Sequence, residues 1–130
     1  MCIRDSQKPQ ICVVGCEPKL ADDAYRSWKS GSIEPVERTD TIADGLRTAL
    51  GDKTFPIIQN YVDEIALAEE ETILKATWLF LERAKIVVEP SAAITLAVLL
   101  DGGLLNDLRG KRVALMLTGG NIDLRQLKSR

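Results

Sequence analysis

The apolar and polar positions of this chain divide it into alternating short and long segments. Three short apolar runs have the length and composition of buried strands, at residues 11–16, 63–68 and 111–117. The segments between them carry helix-forming residues, polar starts and glycine ends, which predict helices over residues 21–29, 39–50 (after a polar turn), 55–62, 69–85 and 91–100. This alternation predicts an α/β fold with three layers, a mainly parallel sheet flanked by helices.

Length and composition keep the prediction to one ordinary globular domain. The chain has 130 residues, 45% of them hydrophobic and 28% charged, which is enough to bury a core. A net charge of −2 gives no electrostatic reason to expect nucleic acid or an anionic membrane as a partner. No apolar run approaches the roughly 18–20 residues of a membrane span.

Histidine is absent and cysteine is scarce, which restricts the chemistry. Without histidine the chain lacks the commonest general base and the usual zinc ligand. Cys12 and Cys16 lie on one face of the first predicted strand, about 13 Å apart, too far for a disulfide. Together with Cys2 they are typical of small, unpaired thiols, and we expect Cys12 and Cys16 to be buried in a cytoplasmic protein.

Polar groups stand at the ends of buried elements at two places late in the chain. Glu89-Pro90-Ser91 separates two predicted helices, and Thr118-Gly119-Gly120 directly follows the last predicted strand. Open α/β sheets bind ligands at such strand ends. Taken alone, Thr118 also fits a strand cap before a glycine turn, and Glu89 fits an acid at the start of a helix.

A second candidate site combines Glu17, Ala21 and Asp23. The two carboxylates lie six residues apart, at a strand end and a helix start, with a backbone carbonyl between them. Ligand sets made of oxygen alone suit Mg²⁺ or Ca²⁺. Capping of the following helix by Asp22 or Asp23 is the alternative.

With residues 41–45, Thr-Ile-Ala-Asp-Gly, these motifs resemble in order and spacing the serine/threonine dehydratase and serine racemase family, enzymes of fold type II that use pyridoxal phosphate (PLP). The likeness covers roughly residues 10–124 and the C-terminal part of that family's large domain, which implies a partial tryptophan-synthase-β-like fold. It implies that Thr118 hydrogen-bonds the pyridine nitrogen of PLP. Gly45, Glu89 and Gly119 would lie beside the cofactor, and Glu17, Ala21 and Asp23 match positions that bind a divalent ion.

The resemblance also implies a reaction. A hydroxyl such as Thr118 is a weak acid and cannot keep the ring nitrogen protonated, which suits β-elimination and suppresses transamination. The implied parent is an ammonia-lyase that converts L-threonine or L-serine into a 2-oxo acid and ammonia. Serine racemisation and 3-hydroxyaspartate dehydration are alternatives within the family, and a non-catalytic α/β module that binds a small ligand or a partner is the alternative outside it.

Several family features have no counterpart in these residues. The family's Schiff-base lysine and glycine-rich phosphate loop lie upstream of the strand at residues 11–16, and no lysine here matches. We therefore expect the chain to be a fragment that binds PLP weakly and is inactive alone. Residues 1–6 look like translated adapter sequence, which leaves residues 7–130 as the native part.

Further implications concern substrate detail and assembly. Ala92 replaces the family's usual glycine and would tighten the pocket or shift the helix. Arg83, Lys85 and Asn121 match positions where some racemases bind a nucleotide, although a solvated helix end and a turn residue explain them equally well. The parent is expected to be a homodimer or homotetramer.

Overall fold

A computed structural model of the protein describes residues 7–102 and 108–127. Its regular elements, in chain order, are β1 (Val14–Pro18), α1 (Asp23–Ser30), a 3₁₀ turn (Asp44–Leu46), α2 (Phe55–Tyr61), β2 (Glu64–Ala68), α3 (Glu70–Leu79), a π-helical turn (Phe80–Ala84), α4 (Pro90–Leu100) and a final 3₁₀ turn (Leu124–Gln126). Within these residues, no helix is long and apolar enough to cross a membrane.

The two strands pair in parallel, with Val14 beside Glu64 and Pro18 beside Ala68. The predicted strand at residues 11–16 is therefore displaced towards the C-terminus, and Glu17-Pro18 lies inside it instead of following it. The amide of Lys19 donates to Ala68 O at 3.0 Å. Because alternate residues of a parallel strand bond the same neighbour, the position of Pro18 faces away from β2 and loses no ladder bond.

One face of the sheet carries the main core. Helices α3 and α4 pack against each other and against this face, and alternate strand residues Val14, Cys16 and Ala66 reach the cluster. Small residues of α4 allow the close approach. The buried members are Ala68, Ile73, Ala76, Val88, Ala92, Ala93, Ile94, Ala97 and Val98.

The opposite face carries α1 and α2. A Cβ at Gly15 would touch Ile65 and Val62, so the glycine leaves room for these side chains. The indole of Trp28 in α1 donates to Val62 O at 3.2 Å and ties the end of that helix to the start of β2. Helices on both faces of a parallel sheet confirm the predicted three-layer α/β fold.

Two helix predictions were too long. The predicted helix at residues 39–50 reduces to the turn Asp44–Leu46, because the Thr41 hydroxyl accepts the amide of Ala43 and competes with helical pairing. The predicted helix at residues 69–85 is α-helical only to Leu79. It continues as the π-helical turn and ends at Lys85, which has a left-handed backbone with φ of 60°.

The predicted strand at residues 111–117 is wrong. Residues 112–118 make no backbone hydrogen bond within the described part of the chain. Strand composition alone does not make a strand, since a ladder needs a neighbour to pair with. The predicted burial of Cys12 is also wrong: it precedes β1 and is exposed, whereas Cys16 is half-buried and its burial raises the thiol pKa to about 11. Cys2 lies outside the described residues.

Candidate functional site

The N-terminus of α4 is held by a loop that is distant in sequence. Pro90 occupies the first turn, where a missing N–H costs nothing, and the extended backbone of Glu89 leads into it. The amide of Glu89 donates to Gly119 O at 3.2 Å, and the amide of Asn121 donates to Glu89 Oε2 at 2.9 Å. Glu89 therefore occupies the N-cap position but uses its carboxylate to hold the loop.

Close contact explains the two glycines of that loop. A Cβ at Gly119 would lie 2.6 Å from Glu89 Oε1, and a Cβ at Gly120 would lie 2.6 Å from Val87 O. Both distances are shorter than any side chain tolerates. The Gly-Gly pair is therefore required by the packing of this loop on residues 87–89.

The turn around Gly45 meets the same helix end. The amide of Gly45 donates to Ser91 Oγ at 2.9 Å, and Ser91 Oγ lies 3.4 Å from Asp44 Oδ1. The amide of Ile42 donates to Glu70 Oε2 at 2.8 Å, which fixes the turn to the start of α3 as well. Sequence reasoning quoted Ser91 in its motif without giving it this role; its signal was a hydroxyl directly after Glu-Pro at a helix start.

These contacts assemble one structural unit, here called the α4 clamp, made of Gly45, Glu89, Ser91, Gly119 and Asn121. It brings together three of the four residues predicted to bind the cofactor. The fourth, Thr118, immediately precedes Gly119, is exposed, and makes no hydrogen bond within residues 7–102 and 108–127. Its hydroxyl is therefore available to a ligand, which fits a group that must bond a ring nitrogen.

The carboxylate of Glu17 lies beneath the start of α1. Only 7% of Glu17 is exposed, and its two oxygens accept the amides of Ala24 at 3.0 Å and Tyr25 at 2.7 Å. Neither Asp22 nor Asp23 caps the helix, since Asp22 stands at the N-cap position without a side-chain bond. Burial raises the pKa of Glu17 to about 7, and the nearby Asp23 adds to the rise, while the two amides oppose it.

Asp23 is the more deeply buried member of this acid pair, Glu17 and Asp23. It is 1% exposed, and neither carboxylate oxygen has a hydrogen-bond partner in the described residues. Burial raises its pKa; the amides of Asp23 itself and Leu50 act in the opposite direction without reaching hydrogen-bonding geometry. An orphaned buried carboxylate is costly, which makes a missing positive partner the simplest explanation.

The remaining predicted ligand, Ala21, is also suitable. It is 2% exposed, and its carbonyl accepts no hydrogen bond from the described residues. Two carboxylates and a free carbonyl make an oxygen-only donor set that fits Mg²⁺ or Ca²⁺. No group of three or more histidine, cysteine or acidic side chains converges in the same part of the chain, so other ligands would be carbonyls or water.

A cavity of about 340 Å³ connects the two regions. Glu17 and Ala24 line it near the acid pair, and Gly45 and Leu46 line it near the α4 clamp. The turn at Asp44–Leu46 therefore contacts both candidate sites.

The residues that resemble a nucleotide site are only partly brought together. Arg83 and Lys85 are exposed around the π-helical turn. Asn121 is exposed and its amide is bonded to Glu89. Nucleotide binding stays a prediction.

Comparison with known proteins identifies the family. Residues 3–119 match the model of the family described as pyridoxal-phosphate dependent enzyme. The match begins within residues 1–6, whose assignment as a non-native leader stays a prediction.

Individual relatives and solved structures agree with this match. Serine racemase of Arabidopsis thaliana is 42% identical over 94% of this chain and 38% of its own length. The β-hydroxyaspartate dehydratase of Paracoccus denitrificans (strain Pd 1222) is 42% identical over 92% of this chain and 37% of its own. The crystal structure of serine racemase from Dictyostelium discoideum superposes with a TM-score of 0.85 at 44% identity, over 92% of this chain and 38% of that one.

A bacterial-type threonine deaminase, the one from T.th., superposes with a TM-score of 0.80 at 40% identity, over 92% of this chain and 43% of that one. This chain thus spans about two fifths of the proteins it matches. The matching residues include the α4 clamp up to Gly119 and the whole acid pair. The chain belongs to the family of pyridoxal-phosphate dependent enzymes.

Proposed function

We propose that this chain forms the ring-side wall and the cation-binding wall of a PLP-dependent ammonia-lyase that acts on L-threonine or L-serine. The observation that carries the proposal is the α4 clamp. It gathers Gly45, Glu89 and Gly119 at one helix end and leaves the adjacent Thr118 exposed with a free hydroxyl. Membership of the PLP-dependent family supplies the cofactor class.

Thr118 is proposed to bond the ring nitrogen. PLP, when bound, supplies an electron-withdrawing ring that makes the α-proton of an attached amino acid more acidic. The Thr118 hydroxyl would donate to the ring nitrogen without giving up its proton, because an alcohol is a far weaker acid than a protonated pyridine. A ring kept neutral withdraws fewer electrons, which favours prompt loss of the β-hydroxyl over transamination.

The other clamp residues are proposed to fix the position of Thr118. Glu89 holds the loop through the Asn121 amide, and the glycine at 119 allows that carboxylate to lie against the backbone. Ser91 holds the Gly45 turn against the same helix end. The loop that ends in Thr118 is thereby anchored on both sides of α4.

The acid pair and the Ala21 carbonyl are proposed to hold Mg²⁺ or Ca²⁺. The cation would complete the orphaned oxygens of Asp23 and keep Glu17 ionised against its burial. Its role would be to stabilise the start of α1 and the cavity wall shared with the Gly45 turn. It would not touch the reacting atoms.

The substrate and assembly belong to the whole parent protein. Serine racemisation and 3-hydroxyaspartate dehydration use the same groups, and relatives named for them match at 42% identity. We propose a cytoplasmic homodimer or homotetramer as the parent. Because no lysine of this chain matches the family's Schiff-base motif, the chain alone is proposed to bind PLP weakly and not to turn over.

A chimera tests the proposal. This chain would replace the matching 38% of the Dictyostelium discoideum racemase, its 44% identical relative, which supplies the rest of the fold. We expect the purified, PLP-loaded chimera to form 2-oxo acid and ammonia from L-threonine or L-serine. Formation of D-serine or of oxaloacetate from 3-hydroxyaspartate as the main product would assign one of the two relatives' activities instead.

A folded, PLP-loaded chimera that is inactive on all three substrates would contradict the proposed chemistry and favour a non-catalytic α/β module. The parental racemase serves as the positive control for loading. The chain alone should show no product under the same conditions.

A further inference from the structure

Two backbone segments of the described structure lack a pairing partner. β2 pairs with β1 on one side only, in a sheet of two strands. Residues 112–118 make no backbone hydrogen bond within the described residues, although their composition is that of a strand. Exposed strand edges and unpaired apolar strands are the usual routes to association between chains.

A groove of about 700 Å³ runs along the open edge of β2. Its lining includes the successive residues Glu64, Ile65, Ala66 and Leu67. Neighbouring side chains of a strand point to opposite faces of the sheet, so a groove touched by four in succession follows the strand edge itself. This groove is here called the β2 groove.

The edge presents free backbone groups to the groove. Lys19 N bonds Ala68 O, which directs the polar groups of alternate residues 64, 66 and 68 towards β1. In a parallel ladder the N–H and C=O groups of Ile65 and Leu67 must then point the other way. They form the row of donors and acceptors that an added strand would pair with.

Side chains close the β2 groove on both faces of the sheet. Tyr25 and Trp28 of α1 form one wall, and Val98 of α4 belongs to the other. The middle of the groove is therefore apolar on both sides. A strand that enters it would bury both of its faces.

The two ends of the groove are acidic, but only one has an unused carboxylate. At the end near Ala68, Glu69 pairs with Lys19, and Asp101 accepts from the Glu69 amide and the Thr72 hydroxyl. At the other end, Asp63 accepts the Val13 amide. Glu64 is exposed and has no partner among the described residues, so a basic group is best matched beside it.

Residues 111–117 have the complementary chemistry. They begin with Lys111 and Arg112 and continue with five apolar residues. Val113 is 48% exposed and Met116 is 72% exposed, so the apolar side chains stand in solvent. The pattern of a basic start and an apolar body matches the groove read from Glu64 towards Leu67.

We propose that residues 111–117 of one copy of this chain add as a parallel strand to the β2 groove of a second copy, with Arg112 beside Glu64. The parallel direction follows from the single unused carboxylate at the start of β2. Different surfaces of the two copies meet, so the contact closes into a reciprocal dimer or continues as a head-to-tail chain. The inference concerns this chain as it stands and does not depend on the proposed enzymatic function.

Sedimentation velocity over a wide range of concentration tests the proposal. We expect reversible, concentration-dependent association of the wild-type chain. Met116→Lys places a charge in the enclosed groove and should weaken association ~tenfold or more. Leu124→Lys is the matched control, because Leu124 is 52% exposed and lies outside both segments; it should associate as the wild type does.

A charge exchange tests the direction of the added strand. Glu64→Lys and Arg112→Glu should each weaken association ~two- to fivefold, and the double variant should restore it. Both side chains are exposed, so the folded monomer should tolerate either change. Hydrogen exchange should show protection of the Ile65 and Leu67 amides only in the associated species.

Three results would overturn the proposal: a wild-type chain that is monomeric at every concentration, equal weakening by Met116→Lys and Leu124→Lys, or a double charge variant no better than either single one. Circular dichroism of each variant ensures that only folded protein is compared. Since no PLP is added, failure here leaves the chimera experiment unaffected.

Discussion

The same dipeptide, Glu-Pro, stands at both candidate sites, and its two copies do different work. Glu17-Pro18 forms the last two positions of β1, and Glu17 accepts two amides of the next helix. Glu89-Pro90 opens α4, and the Glu89 carboxylate accepts one amide from a loop more than thirty residues away. In both, the carboxylate joins elements that are separate in sequence.

The difference lies in what surrounds each carboxylate. Glu17 is buried beside a second buried acid, Asp23, so its charge is costly and a cation or a proton must compensate. Glu89 is half-buried beside backbone amides and an exposed hydroxyl, so its charge is already used to hold a loop. Burial therefore separates a cation-binding role from a positioning role for the same residue type.

The largest effect expected concerns the pH dependence of stability at Glu17. The folded state raises the Glu17 pKa from 4.5 to about 7, so between these values the folded chain keeps a proton that the unfolded chain releases. Its stability should fall as pH rises through this window, by about 3 kcal/mol in total from this group. Asp23, whose pKa is also raised, adds to the same trend.

Glu17→Gln should remove most of that fall, as measured by urea unfolding at a series of pH values without divalent ions. Glu64→Gln is the matched control, because Glu64 is exposed and should leave the fall unchanged. A wild-type stability that is flat or rises across this window would contradict the burial of an uncompensated acid pair.

Gly120→Ala should give the next largest effect and act on the clamp alone. Its Cβ would lie 2.6 Å from the carbonyl of Val87, a backbone atom that cannot turn away. We expect a loss of about 2 kcal/mol in the free energy of unfolding. Gly51→Ala, whose Cβ would make an ordinary contact at 3.4 Å, should cost much less, and equal losses would show that the loop is not packed against residues 87–89.

Asp23→Asn should sharpen the comparison at the other site. Removing a buried, unpartnered charge should stabilise the chain by roughly 1–2 kcal/mol at neutral pH without divalent ions. The same variant should lose any rise in melting temperature that Mg²⁺ or Ca²⁺ gives to the wild type. A wild type that gains nothing from either ion would remove the cation from the account.

Ser91→Ala is expected to have the smallest effect. It deletes the hydroxyl that accepts the Gly45 amide, a net loss of about 1 kcal/mol. Ser30→Ala, at an exposed helix end, is the control and should change stability by less. Hydrogen exchange of the Gly45 amide should rise in Ser91→Ala only.

The sequence predicted the alternating architecture and the residues of both sites, because buried strands and Glu-Pro or Gly-Gly punctuation leave local signals. It could not predict that Pro18 lies within β1, since the ladder's alternation depends on where β2 pairs. It also predicted a strand at residues 111–117 that needs a neighbour from elsewhere, which local composition cannot supply. The helix-holding role of Glu17 went unnoticed because its partners, Ala24 and Tyr25, lie just beyond the obvious cap residues.

The central claim is that the Thr118 hydroxyl faces the ring nitrogen of PLP, and replacing that hydroxyl in the chimera tests it most directly. Turnover and the absorbance of the bound cofactor would be compared for Thr118→Ser and Thr118→Ala. The account predicts that Thr118→Ser keeps both, whereas Thr118→Ala loses ~tenfold or more in kcat and shifts the cofactor band. Equal turnover and an unshifted band in Thr118→Ala would contradict it.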